Sequence, residues 1–331
     1  MTLASERAAA VDAVLHASRL CRTVQRNLVA GSTLTKDDRS PVTVADYGAQ
    51  AVVGHLLGRA FPAIPMVGEE DAGALRRPEN AALLEKVLAN VAEVLPGLSA
   101  AEVLTAIDRG TWPGGAEGRH WTLDPIDGTK GFLRLEQYAV ALALIEDGQV
   151  VLGVLGCPNL PHDETRPEQG AGCLFVAVRG QGAFMRTLDD ATERPVRVSA
   201  EADPAGARFC ESVEKAHSSQ SDSARVAELL GIAAPPFRID SQCKYAAVAR
   251  GDASIYLRLP TRKDYVERIW DHAAGVAVIT EAGGAVSDVR GHPLDFSLGR
   301  GLERNAGVVV TNGLLHGRVL GAVQQVLGIG R

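Results

Sequence analysis

The sequence contains no CxxC pair and no Cys/His cluster, and its five cysteines, Cys21, Cys157, Cys173, Cys210 and Cys243, are widely spaced. That excludes a zinc site built on the usual ligand spacing. The odd count and the spacing fit reduced thiols better than a disulfide framework, which points to a cytoplasmic location and to cysteines acting as small core residues. Cys243, beside a candidate substrate lysine, is the one whose reactivity is worth testing. No apolar run reaches the length of a membrane span. No signal peptide is expected, because Glu6, Arg7, Asp12, His16 and Arg19 interrupt every early apolar run. There is no basic block or stripe, and the formal charge is −6, so neither nucleic acid nor a membrane surface is an expected partner. An acidic protein can still act on anions if bound metal inverts the local field. Internal repeats and long low-complexity segments are absent as well.

What remains is a chain of 331 residues, 46% apolar and 22% charged, enough for two domains or one large layered domain. Val11, Val14, Leu15, Val24 and Leu28 recur at helical spacing, with Gly31 as a stop. A loop is expected over 32–44, then a helix over 46–60 with Asp46 as its N-cap. A short buried strand, Ile64 to Val67, runs into Gly68-Glu69-Glu70-Asp71. Residues 72–110 look like an insertion that carries a helix around Leu83–Leu95 and a capping box at Ser99 and Glu102. Hairpins are expected around Asp147-Gly148 and between Leu174–Val178 and Gly182–Met185. After Ala191 strands and helices alternate, giving an α/β pattern behind an α+β first half. The boundary is expected between Gly156 and Gly172, dividing 1–160 from 161–331.

The most informative stretch is Asp124-Pro125-Ile126-Asp127-Gly128-Thr129-Lys130-Gly131-Phe132. Two acids flanking an apolar pair at a strand end repel each other unless cations are present, and carboxylates suit hard cations such as Mg²⁺. The Gly-Thr pair that follows can offer backbone N–H groups and a hydroxyl to a phosphate. Glu69 and Asp271 also sit where strands or loops meet turns, at the kind of sheet edge where ligands bind. Taken alone, Asp271 before an apolar helix fits a plain N-cap. Asp46 and Thr129 could together orient and deprotonate a water, although each also reads as a cap or turn residue. In the second half, Glu214 to Ser219, Asp240 to Tyr245 and Arg258 form a polar, partly basic set. It could hold an anion, yet by spacing alone solvated surface is the default reading.

These blocks resemble the lithium-sensitive, magnesium-dependent phosphatase superfamily that includes inositol monophosphatase. The carriers are Glu69-Glu70 after Val-Gly, Asp-Pro-Ile-Asp-Gly-Thr at 124–129, and Trp-Asp-His-Ala-Ala-Gly at 270–275 with its trailing Glu-Ala-Gly-Gly. A finer resemblance, to the 3′(2′),5′-bisphosphate nucleotidase family, rests on 37–47, on Lys130-Gly131-Phe132-Leu133-Arg134, on Gly156 to Leu160, on 213–219, on Asp240 to Tyr245 and on Tyr256 to Pro260. The resemblance implies an αβαβα sandwich. It implies several Mg²⁺ ions on Glu69, Asp124, Asp127, Asp271 and the Ile126 carbonyl, with Asp46 and Thr129 activating water. Gly128 and Thr129 would bind the scissile phosphate. His217, Ser218, Ser241, Lys244 and Arg258 would hold the nucleotide and its 5′-phosphate. The implied reaction converts adenosine 3′,5′-bisphosphate to AMP and phosphate, with 3′-phosphoadenylyl sulfate as a second substrate, in a monomer. The alternatives are an inositol phosphate phosphatase of the same superfamily and, from another class, a non-catalytic nucleotide or metal sensor. Residues 72–118 and 161–172 match poorly and are expected to be rim loops.

Overall fold

The computed structural model describes residues 3–30, 40–213, 219–262 and 265–329. The chain opens with helices α1 (Ala4–Ala30) and α2 (Ser40–Ala60), then strand β1 (Met66–Gly68) and helices α3 (Ala81–Val94) and α4 (Ala100–Asp108). Strand β2 (Arg119–Asp127) and the short helix α5 (Thr129–Leu133) follow. Next comes a run of strands, β3 (Ala139–Glu146), β4 (Gln149–Pro161), β5 (Ala171–Val178), β6 (Gly182–Thr187) and β7 (Arg194–Pro195). Alternation then sets in: β8 (Phe209–Glu211), α6 (Gln220–Leu229), β9 (Phe237–Arg238), α7 (Cys243–Arg250), β10 (Ile255–Arg258), α8 (Ala273–Glu281), β11 (Ala285–Ser287), β12 (Val308–Thr311) and α9 (His316–Leu327).

The strands make a seven-stranded sheet in sequence order β1 to β7 and a five-stranded sheet in the order β11-β12-β10-β8-β9. α1 and α2 cover one face of the first sheet, α7 and α8 fill the space between the sheets, and α6 and α9 cover the far face of the second. This is the expected αβαβα sandwich, with one apolar core per interface between layers. The first sheet runs on across 156–172, because β4 and β5 pair directly with Cys157 opposite Cys173. The change from one sheet to the other falls between Pro195 and Phe209. No helix among the described residues is long and apolar enough to cross a membrane.

Local expectations that rest on turn chemistry hold. Ser99 and Glu102 form a reciprocal capping box at the start of α4. The β3–β4 hairpin turns on Asp147 and Gly148 at φ 49° and 71°, which suits the right-handed twist of its strands. Three expectations need correction. The loop proposed to reach residue 44 ends earlier, since α2 begins at Ser40; Asp46 lies in its second turn and is not its N-cap. Asp271 does not open α8, which starts at Ala273 after a turn. Residues 72–118 are not merely a rim: α3 and α4 pack on α2.

α2 explains the first of these errors. It is buried nearly all round, with Val52, Val53 and Leu57 at most 1% exposed, each contributing about 1.5–3 kcal/mol by leaving water. A helix enclosed on all sides has no polar face to mark its start, and its interior polar residues, Asp46 and Gln50, become buried too.

Candidate active site

β1 and β2 run parallel, with Gly68 opposite Leu123, so their C-terminal ends lie side by side. Glu69 and Asp124 therefore emerge next to each other, at the sheet edge where ligands of α/β folds bind. Asp124 and Asp127 are three residues apart, which in a regular strand would point them to opposite faces. The β2–β3 register shifts between them: Asp124 pairs with Ala141 and Asp127 with Ala139, so three steps on one strand match two on the other. That extra residue, at the proline that has no ladder N–H to give, brings both carboxylates to one cavity.

The cavity holds about 220 Å³ and is lined by Glu69, Asp124, Ile126, Asp127, Gly128, Thr129, Ser241, Lys244, Arg258 and Asp271 among others. All of the anticipated site residues in the described chain line it except Asp46, which is buried near the Glu69 and Glu70 carboxylates. His217 and Ser218 lie outside the described residues, as do residues 37–39 of the first resembling segment. Gly128 makes the turn into α5 at φ 93°, and a Cβ there would come within 2.9 Å of Ser241 Cβ. The backbone conformation and the close neighbour both require glycine.

Crowding of acids sets the electrostatics. Desolvation in the pocket wall, together with the Asp271, Glu70 and Asp127 carboxylates, pushes Glu69 up to about 7. Burial and then Glu69, Asp127 and Asp271 hold Asp124 well above the usual carboxylate range. Burial and then Glu69 and Glu70 do the same to Asp46. Asp127 and Asp271 are also raised by burial, with Lys244 and Arg258 working against the rise at Asp127 and Arg258 at Asp271. Asp46 Oδ1 and Asp124 Oδ1 are buried without a hydrogen-bond partner. Oxygen-only donors, mutual repulsion and orphaned acceptors fit hard divalent cations.

Residues that sequence reasoning passed over hold this wall in place. Gln50, one turn after Asp46, donates to the Glu70 and Ile107 carbonyls and accepts from the Glu70 N–H. Gln242 donates its backbone N–H to Asp127 Oδ2 at 2.5 Å. Its side chain meanwhile donates to the Trp270 carbonyl at 2.8 Å and accepts from Gly275 N–H at 3.0 Å. One residue thus joins the Asp127 turn to the Asp271 turn. Arg300 donates to the Gly68, Gly110 and Trp112 carbonyls and stacks on Trp270 with 4.8 Å to the ring centroid. The spacing of Gln50 from Asp46 was the one local signal; Arg300 offered none.

The opposite wall is basic. Lys244 is buried, 5.2 Å from the Tyr256 ring centroid, with Nζ 3.5 Å from Ser212 Oγ. Arg258 pairs with Glu267 at 2.8 Å and Asp271 at 3.4 Å. Glu267, Asp271 and His272 each place a ligand-type atom within 4.8 Å of the others. With the Arg258 guanidinium and the His272 ring already on Glu267, that group serves as a counter-ion network, continued by Tyr245 OH on His272 Nδ1 at 2.7 Å. All five cysteines are free and buried, as expected of core residues. Cys243 directs its thiol to the Tyr138 carbonyl, away from the pocket chemistry its sequence position suggested.

Comparison with known proteins agrees with this architecture. Residues 3–327 match the model of the inositol monophosphatase family. A 3′(2′),5′-bisphosphate nucleotidase of Schizosaccharomyces pombe is 45% identical, the match covering 98% of this chain and 97% of the relative. A protein of the same description from Oryza sativa is 47% identical over 98% of this chain and 95% of its own length. Among solved structures, an inositol monophosphatase from Anabaena shares the fold, with a TM-score of 0.63, 20% identity and coverage of 98% and 97% of the two chains. A family match across nearly the whole chain, with relatives this similar end to end, places the chain in the inositol monophosphatase family.

Proposed function

We propose that this chain is a Mg²⁺-dependent phosphatase that removes the 3′-phosphate of adenosine 3′,5′-bisphosphate, giving AMP and phosphate, and that also accepts 3′-phosphoadenylyl sulfate. The observation that carries this reading is the division of one cavity into two zones. Glu69, Asp124, Asp127 and Asp271 form one, and Ser241, Lys244 and Arg258 form the other. A monophosphate needs only the first zone, whereas a bisphosphate gives the second its own anion to bind. The nucleotidases of similar sequence support the same choice.

Glu69, Asp124, Asp127, Asp271 and the Ile126 carbonyl would hold the cations. When bound, these ions supply positive charge to the phosphoryl and leaving oxygens and make the attacking water more acidic. Gly128 and Thr129, at the start of α5, seat the scissile phosphate. The Thr129 hydroxyl orients the water and Asp46 takes its proton. Asp46 suits that task because burial beside Glu69 and Glu70 makes it a stronger base than an ordinary carboxylate. Lys244 and Arg258 bind the 5′-phosphate, with Ser241 as a hydroxyl partner and His217 and Ser218 completing the nucleotide site. Burial lowers the Lys244 ammonium from its usual range, with the Asp127 and Asp240 carboxylates working against that fall, and Arg258 is paired with Glu267, so each cation has an acid nearby to offset its burial.

Phosphate release from adenosine 3′,5′-bisphosphate and from myo-inositol 1-phosphate, with Mg²⁺ and with EDTA, tests the reading. Turnover of the nucleotide that requires Mg²⁺ is expected. Faster release from the inositol phosphate, or release that survives chelation, would overturn it.

A further inference from the structure

Asp240 is given no contact with substrate in the reaction above, yet it lines the cavity and is only 3% exposed. Its Oδ1 accepts from Ser212 Oγ at 3.2 Å and from the Val213 N–H at 3.0 Å. Its Oδ2 pairs with the Arg134 guanidinium. The Ser212 hydroxyl that donates to Asp240 also lies 3.5 Å from Lys244 Nζ. The polarity is consistent along this line: the ammonium donates to the hydroxyl, the hydroxyl donates to the carboxylate, and the guanidinium closes the far end.

The two ends belong to different parts of the site. Arg134 ends the segment that begins at the Gly128–Thr129 turn, and its own N–H bonds back to the Lys130 carbonyl at 3.1 Å. Lys244 stands in α7, on the other side of the cavity. Asp240 therefore connects the proposed scissile-phosphate seat to the proposed 5′-phosphate cation. Gly128 also packs closely on Ser241, the residue next to Asp240.

We infer that Asp240 is a positioning residue that holds Lys244 at a set separation from the Gly128–Thr129 turn, and so selects bisphosphates over monophosphates. The inference rests on the 3′-phosphatase reading. A carboxylate fits this place because it accepts from three donors at once, two neutral and one charged. Arg134 also pairs with Glu136, so loss of Asp240 does not strand its charge.

The test is steady-state kinetics of wild type, Asp240→Ala and Asp240→Asn on adenosine 3′,5′-bisphosphate and adenosine 3′-monophosphate, at saturating Mg²⁺. For Asp240→Ala the KM of the bisphosphate should rise about tenfold, the loss of one well-placed charge-assisted contact. Its kcat and both constants for the monophosphate should stay within about twofold, a split that general loosening of the fold does not produce. Asp240→Asn keeps an oxygen for Ser212 and Val213 and should fall between wild type and Asp240→Ala. Equal losses on the two substrates, or unchanged selectivity, would overturn the role of Asp240 while leaving the 3′-phosphatase reading intact. If wild type hydrolyses neither nucleotide, both fall. Should Asp240→Ala not fold, Asp240→Asn and Arg134→Met carry the same comparison, with the same expected loss of selectivity and the same refutation.

Discussion

Adding a divalent cation to metal-free protein should raise its thermal midpoint, and the size of the rise can be worked out. Glu69, Asp124, Asp127 and Asp271 face one cavity, and all are raised from the ordinary carboxylate value, by burial first. An ion bound only by the folded state adds about 2.7 kcal/mol when present at about 100 times its dissociation constant. Over 331 residues the unfolding entropy is about 0.7 kcal/mol/K. The midpoint should therefore move up by about 4 °C. Acidity supplies an internal control. Glu69 is raised from 4.5 to about 7, so between those values the folded protein holds more protons than the unfolded chain. Stability of the metal-free protein then falls as pH rises through that window. Above it the ion displaces no proton from Glu69, so the increment from Mg²⁺ should be larger at about pH 8 than at about pH 6. Differential scanning fluorimetry after dialysis against EDTA, with Mg²⁺ or Mn²⁺ restored at both pH values, measures both effects. A midpoint that stays within about 1 °C on restoring either ion would refute the assignment of these acids to cations.

Three substitutions probe the rest. Asp127→Asn keeps an oxygen for the Gln242 N–H but removes a ligand charge; turnover should fall by about 100-fold or more with the far-ultraviolet circular dichroism unchanged. Lys244→Met keeps an apolar stem in the buried wall and deletes the ammonium, which stands 5.2 Å from the Tyr256 ring centroid. The loss of roughly 1.5–3 kcal/mol should raise the KM for the bisphosphate about 10- to 100-fold, with the thermal midpoint retained. Gly54→Ala would place a methyl 2.2 Å from the Ala106 carbonyl oxygen, where α2 meets α4. It should cost about 1–3 kcal/mol, read as a lower midpoint, and an unchanged midpoint would contradict that close packing.

The convergence of the candidate site residues was legible in the chain because they sit in short contiguous blocks. The carboxylates at 124 and 127, the Gly-Thr turn after them, and Glu69 and Asp271 are each marked by an acid meeting a turn, and all reach one cavity. Hairpins and caps were legible for the same reason: Asp147-Gly148 and Ser99 with Glu102 are local rules satisfied locally. What was lost lies in longer-range packing. Asp46 was mistaken for a cap because α2 is buried nearly all round, which leaves no periodic signal for where it starts. Arg300 reaches the Gly68 carbonyl from 232 positions away, and Gln242 reaches Trp270 from 28. Hydrogen bonds to backbone carbonyls carry no complementary residue type at the other end, so nothing in the sequence announces them.

The irregularity between Asp124 and Asp127 makes the acidic wall depend on parity rather than on identity alone. Pro125 and Ile126 contribute their number to the site as much as their side chains. Replacing either keeps the count, and the two acids still converge. Deleting one residue restores even alternation against β3 and shifts every residue beyond it by one place. Variation in this stretch is therefore open to exchange and closed to insertion or deletion, in contrast to loops where length is the freer variable.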